Sequence, residues 1–113
     1  MNATLSLPDG SSLALDRHGH LVDPSLWRPG VAEAFAALDG VSLADAHWVV
    51  LEVLREFHAE FGIEPPMRAL LQRLRERLEC PDLASRDLYR WFPEGPIRQG
   101  SRYAGLPLPL SCI

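Results

Sequence analysis

Ser42-Leu43-Ala44-Asp45-Ala46-His47-Trp48-Val49-Val50-Leu51-Glu52-Val53-Leu54-Arg55-Glu56-Phe57-His58-Ala59-Glu60-Phe61 is the stretch from which the fold is read. Trp48, Leu51, Val53, Leu54, Phe57 and Phe61 recur mostly at three- and four-residue steps, the period of one face of a helix. Glu52, Arg55, Glu56, Ala59 and Glu60 fall mostly on the other side. The pattern predicts a helix over 43–61 whose apolar stripe enters a core. Ser42 is positioned to cap it, with Asp45 reaching back as in a capping box. A stripe of this kind is core rather than a ligand box. His47 and His58 are read as surface or hydrogen-bonded histidines, not catalytic ones.

Working outward, Phe61-Gly62 stops that helix and Pro65-Pro66 opens another over 65–79, because prolines in a first turn forfeit no intrahelical hydrogen bond. Met67, Leu70, Leu71, Leu74 and Leu78 form its core face, and Arg68, Arg73, Arg75 and Arg77 decorate the rest. Cys80-Pro81 ends it, with a structural or incidental role expected for Cys80. Further helices are expected over 85–92 and 96–103. Upstream, the alanine-rich run 31–39 is a short helix closed by Gly40 as C-cap. Breakers at Asp23-Pro24-Ser25 and Arg28-Pro29-Gly30 surround Leu26 and Trp27, which makes a loop anchored by an aromatic side chain. Thr4 to Leu7 and Ser12 to Leu15 alternate around Pro8-Asp9-Gly10, a hairpin signal over 3–16. His18-Gly19-His20 is read as an exposed turn, since no third ligand of fitting spacing makes it a metal site, and Leu21-Val22 as a short added strand.

These elements predict an α+β fold: a small N-terminal β-hairpin packed on a helical bundle, in a winged-helix-like layout, with a flexible C-terminal arm. Residues 1–103 are expected to form one globular domain and 104–113 the arm. The 113 residues are enough for one domain with a modest core. A 47% hydrophobic and 23% charged composition is that of an ordinary soluble protein. The net charge of −4 argues against a general nucleic-acid binder. No apolar run approaches the roughly 18 residues that would span a bilayer. The N-terminus lacks the basic start and apolar stretch of a secretory signal. Two distant cysteines make neither a disulfide framework nor a zinc site. A cytoplasmic location with reduced thiols is expected, without cofactor or metal.

The chemistry is concentrated at the C-terminus, Gly105-Leu106-Pro107-Leu108-Pro109-Leu110-Ser111-Cys112-Ile113. Pro107 and Pro109 fix φ, remove two backbone donors and push their predecessors towards extended geometry. The run is expected to be a polyproline-like strut with its backbone bare to water, pivoting at Gly105. Such a strut would put the Cys112 thiol on a short jointed rod. Arg98 and Arg102 are the nearest fixed positive charges in sequence, able to favour the thiolate that attacks sulfur electrophiles. The plain alternative is an inert thiol docked on the body by Ile113 and the leucines.

The run Leu88-Tyr89-Arg90-Trp91-Phe92-Pro93-Glu94-Gly95-Pro96, followed by Arg98-Gln99, Ala104-Gly105-Leu106-Pro107 and the terminal Cys112-Ile113, resembles the TusE/DsrC family of sulfur-relay proteins. Weaker likeness extends over the whole chain. The resemblance implies that Cys112 is the catalytic residue of a sulfurtransferase, accepting a persulfide sulfur and handing it on, with Arg98, Arg102, Gly105, Pro107 and Pro109 as supporting residues of the arm. DsrC members serving dissimilatory sulfite reductase carry a second cysteine where this chain has Ser101, so the single-cysteine pattern is similar to the TusE branch. That branch implies sulfur passing from a TusBCD-like donor complex to the tRNA thiouridylase that makes 2-thiouridine, with tRNA touched only indirectly. The other branch implies sulfite reductase as partner. Leu108 stands where the family has a basic residue, and Gly100 where alanine is common. A reading from another class is a winged-helix nucleic-acid-binding regulator: the helices joined at Gly62-Ile63-Glu64-Pro65, the second rich in arginine, would be the reader and the hairpin its wing.

Overall fold

The computed structural model describes residues 3–112, the last of them through its backbone alone. Strands Thr4–Ser6 (β1) and Ser12–Ala14 (β2) pair antiparallel, with Leu5 opposite Leu13. Asp9 closes the loop between them by accepting the Ser11 N–H at 2.8 Å. The alternation expected of the hairpin turns Leu5, Leu7 and Leu15 inward. The added strand at Leu21-Val22 reduces to one bridge, Leu15 with Leu21.

Five α-helices follow among the described residues: Pro29–Asp39 (α1), Asp45–Phe61 (α2), Met67–Arg77 (α3), Ser85–Trp91 (α4) and Pro96–Tyr103 (α5). The hairpin packs on α1, and α5 packs against α1, α2 and α4. The expected hairpin on a helical body is therefore the architecture observed. Val50, Leu51, Leu54, Leu70, Leu74, Leu88, Phe92 and Tyr103 form the middle of the core. Burying each such side chain contributes about 1.5–3 kcal/mol. Gly100 brings α5 close to α2: a Cβ there would stand 2.7 Å from Leu54 Cδ1.

Several local readings change. α1 starts at Pro29, ahead of the expected 31, since proline suits the first helical position. α3 starts at Met67 rather than 65, because Glu64 and Pro65 each precede a proline and are turned away from helical geometry. The N-cap of α2 is Ala44, two residues beyond Ser42. The capping acceptor is His47, whose Nδ1 takes the Ala44 N–H at 3.0 Å while its Nε2 lies 3.0 Å from the Trp91 carbonyl. His47 is buried and fully partnered. Phe61, expected in the core, is 52% exposed, its ring tilted against that of Phe57 at the helix end.

Candidate functional site

The tail leaves α5 through a C-terminal cap built around Gly105. Leu106 N–H donates to the Ser101 carbonyl at 2.9 Å and Gly105 N–H to the Arg102 carbonyl at 3.2 Å. That pair of bonds, with Gly105 left-handed at φ 73°, is a Schellman ending. Gly105 is also a contact surface, since a Cβ added to it would lie 2.4 Å from Trp27 Cδ1. The residue expected to be a pivot is buried and wedged.

Three side chains from three other parts of the chain hold the root of the tail. Trp27 Nε1 donates to the Tyr103 carbonyl at 2.8 Å, and an Arg55 guanidinium nitrogen to the Ala104 carbonyl at 2.8 Å. The His20 ring nitrogen Nδ1 lies 2.8 Å from the Leu106 carbonyl and, facing an acceptor, donates to it. Arg55 also lies over the Trp27 ring, 4.0 Å from its centre, a stack that keeps both side chains in place. These bonds satisfy carbonyls that a helix end leaves without partners. The backbone over Ala104–Leu106 is therefore not bare to water: Ala104 and Leu106 are buried.

His20 is buried in the place read from sequence as an exposed turn. Burial holds its pKa below the ordinary value, opposed by its bond to the Leu106 carbonyl and by Asp16. Between α1 and α5, Asp39 accepts from Tyr103 Oη at 2.7 Å and from Arg102, and Gln99 Nε2 donates to Tyr103 Oη at 3.0 Å. Burial, then the Asp39 bond, raise the Tyr103 pKa. Arg102 reaches Glu94 as well. Its charge is committed to this network on the α1 side, and Arg98 is exposed on α5.

Beyond Leu106 the chain is held more lightly. Pro107 is exposed, Leu108 half-buried, Pro109 buried, and Leu110 is 64% exposed. A cleft of ≈ 110 Å³ runs beneath this segment, lined among others by Leu54, His58, Ile63, Ser101 and Leu106. Ser101, 1% exposed, forms part of its floor. Leu110–Cys112 close into a 3-10 turn, and Ser111 N–H donates to Glu64 Oε1 at 3.0 Å. The Cys112 side chain and Ile113 lie outside the described residues. Cys80 is half-buried, its N–H bonded to the Arg75 carbonyl at 2.9 Å.

The arginines of α3 are largely used within the fold. Arg77 makes a two-pronged bond to Glu56, at 3.0 Å for each nitrogen, and Arg73 faces Glu60 at 3.8 Å. Arg75 Nε donates to the Leu83 carbonyl. A basic reading helix would present such groups to phosphates; here glutamates of α2 neutralise Arg73 and Arg77. No described helix is long and apolar enough to cross a membrane.

His20, Trp27, Arg55 and Glu64 were not identified from sequence as neighbours of the tail. Trp27 carried a local signal as an aromatic between breakers. Glu64 carried a fainter one, standing ahead of two prolines that stiffen its backbone. Arg55 and His20 carried none, since each meets the tail across a long sequence separation.

The family model described as DsrC like protein matches residues 8–113. The sulfurtransferase TusE of Pectobacterium atrosepticum is 35% identical over 105 residues, covering 93% of this chain and 96% of its own. The solution structure of DsrC from Allochromatium vinosum is 37% identical with a TM-score of 0.86, covering 100% of both chains. The oxidized gamma-subunit of the dissimilatory sulfite reductase (DsrC) from Archaeoglobus fulgidus is 32% identical, also with a TM-score of 0.86, covering 98% of this chain and 100% of that one.

Proposed function

Because the chain belongs to the DsrC-like protein family, we propose that it is a sulfur carrier whose acceptor is the Cys112 thiol. The Cys112 thiolate attacks the outer sulfur of a donor cysteine persulfide. A bond forms between Sγ and that sulfur, the donor's S–S bond breaks, and the donor leaves as a thiolate. No oxidant or reductant enters, because the step exchanges one sulfur–sulfur bond for another. A thiolate of the receiving protein then attacks the same outer sulfur, the bond from that sulfur to Sγ breaks, and the Cys112 thiolate is regenerated.

One observation carries this reading: the tail is pinned up to Leu106 and lightly held after it. Residues 107–112 are six positions, and an extended proline-rich chain spans about 3.1 Å per residue, so a released tail reaches roughly 19 Å from a fixed root. Pro107 and Pro109 limit the entropy lost when that segment enters a partner's cleft. Release is thus assigned to the segment that starts at Pro107, later than the expected start at 104. Thiolate formation is assigned mainly to the partner's pocket, because Arg102 is engaged with Asp39.

The pathway we favour is tRNA 2-thiouridine synthesis, with a TusBCD-like donor and a tRNA thiouridylase as acceptor. Likeness to TusE and the hydroxyl at Ser101, where two-cysteine relatives carry a thiol, support it. Likeness to a sulfite reductase gamma-subunit supports the second reading, a partner in dissimilatory sulfur metabolism. Incubation with a persulfide donor is expected to add one sulfur atom to Cys112 and none to Cys112→Ser. Trypsin separates the two thiols, since Arg86 and Arg102 lie between them. Sulfur found on the Cys80 peptide instead refutes the assignment.

A further inference from the structure

Among the described residues beyond Leu106, the hydrogen bond that joins the tail to the body is the one from Ser111 N–H to Glu64 Oε1, at 3.0 Å. From this geometry we infer that Glu64 is a positioning residue for Cys112. Its carboxylate holds the terminal turn against the α2–α3 connector, and the tail must leave it before entering a partner. This inference rests on the carrier reading for its purpose but not for its test.

The connector is built to aim that carboxylate. Gly62 closes α2 with φ 74°, and Pro65 and Pro66 remove two backbone torsions from adjustment. Glu64, which precedes Pro65, is restricted to extended geometry. Its side chain therefore meets the tail from a fixed base. Partial burial pushes its carboxyl pKa up. The bond from the Ser111 N–H, helped by the nearby backbone amides of Glu64 and Leu110 and by the Ser111 hydroxyl, outweighs that and leaves it below the ordinary value.

Apolar burial does little for the tip. Pro109 is buried, but Leu110 is 64% exposed and Ser111 is exposed. A tip with so little apolar area removed from water depends on its polar anchor. A carboxylate is a strong acceptor, yet at this half-exposed site its net contribution stays small. That balance holds the tail at rest without preventing its release.

The test reads the rate at which iodoacetamide alkylates Cys112 in the full chain, resolved from Cys80 by tryptic peptides. Glu64→Ala is expected to raise the Cys112 rate about three- to tenfold, the effect of losing one such bond. Glu64→Gln keeps an oxygen acceptor and loses the charge, so it should recover at least half of that change on a logarithmic scale. Cys80 serves as the internal control and should keep its rate in all three proteins. Equal Cys112 rates within twofold overturn the inference. So does a Gln variant as fast as Ala, which makes the effect one of charge on the thiol. A parallel rise at Cys80 also overturns it, because the body has then loosened as a whole. The measurement needs no sulfur donor, so failure of sulfur loading at Cys112 and failure of the Glu64 anchor are read separately.

Discussion

Replacing Gly105 by alanine separates a swivel from a wedge. Gly105 sits at φ 73° and Gly40 at φ 70°, so both substitutions incur the same left-handed strain, about 1–2 kcal/mol. Their surroundings differ. Nothing stands within 4 Å of a Cβ on Gly40, whereas one on Gly105 would lie 2.4, 2.7 and 2.8 Å from Trp27 Cδ1, Cγ and Cβ. Trp27 cannot retreat freely. Moving it breaks the bond to the Tyr103 carbonyl, worth about 1 kcal/mol, and the Arg55 stack, worth about 0.5–1 kcal/mol. Forcing an extra methyl into a packed site typically costs 1–3 kcal/mol. The lost Trp27 contacts are part of that packing cost, so Gly105→Ala should destabilise the protein by about 2–5 kcal/mol, and Gly40→Ala by about 1–2 kcal/mol. Urea unfolding followed by tryptophan fluorescence measures both. Costs equal within about 0.5 kcal/mol refute the wedge and restore Gly105 as the hinge of a free arm.

Asp39→Ala leaves Tyr103 Oη and Arg102 without their shared acceptor, and should cost about 2–4 kcal/mol in the same assay, with Asp39→Asn milder; a loss under about 0.5 kcal/mol contradicts the network. His20 supplies a pH dependence. Burial depresses its folded pKa below 6.5, so the unfolded chain binds the proton first. Stability is then complete above pH 6.5 and falls as the pH drops below it, by at most about 1.4 kcal/mol per pH unit. His20→Gln should flatten the urea midpoint between pH 6.5 and 5, a window above the depressed carboxyls of Asp9, Asp23, Glu56 and Glu64. An unchanged slope in that variant assigns the dependence to another group.

Periodicity alone determined the helix that carries Leu51, Leu54 and Phe57, the hairpin around Pro8-Asp9-Gly10 and the glycine stop at Gly40, because these depend on residues a few positions apart. Local chemistry also marked the tail, through its prolines and its cysteine. It could not distinguish Ser42 from His47 as the cap of α2, since His47 is fixed by the distant Trp91 carbonyl. It could not bring His20, Trp27 and Arg55 onto the carbonyls of Leu106, Tyr103 and Ala104, across separations of 86, 76 and 49 residues. Nor could it set Glu64 against Ser111. A polyproline-like sequence states how stiff a segment is; only the folded body decides where that segment is tied, because its backbone carbonyls and amides accept whichever donors and acceptors the tertiary packing brings within 3 Å.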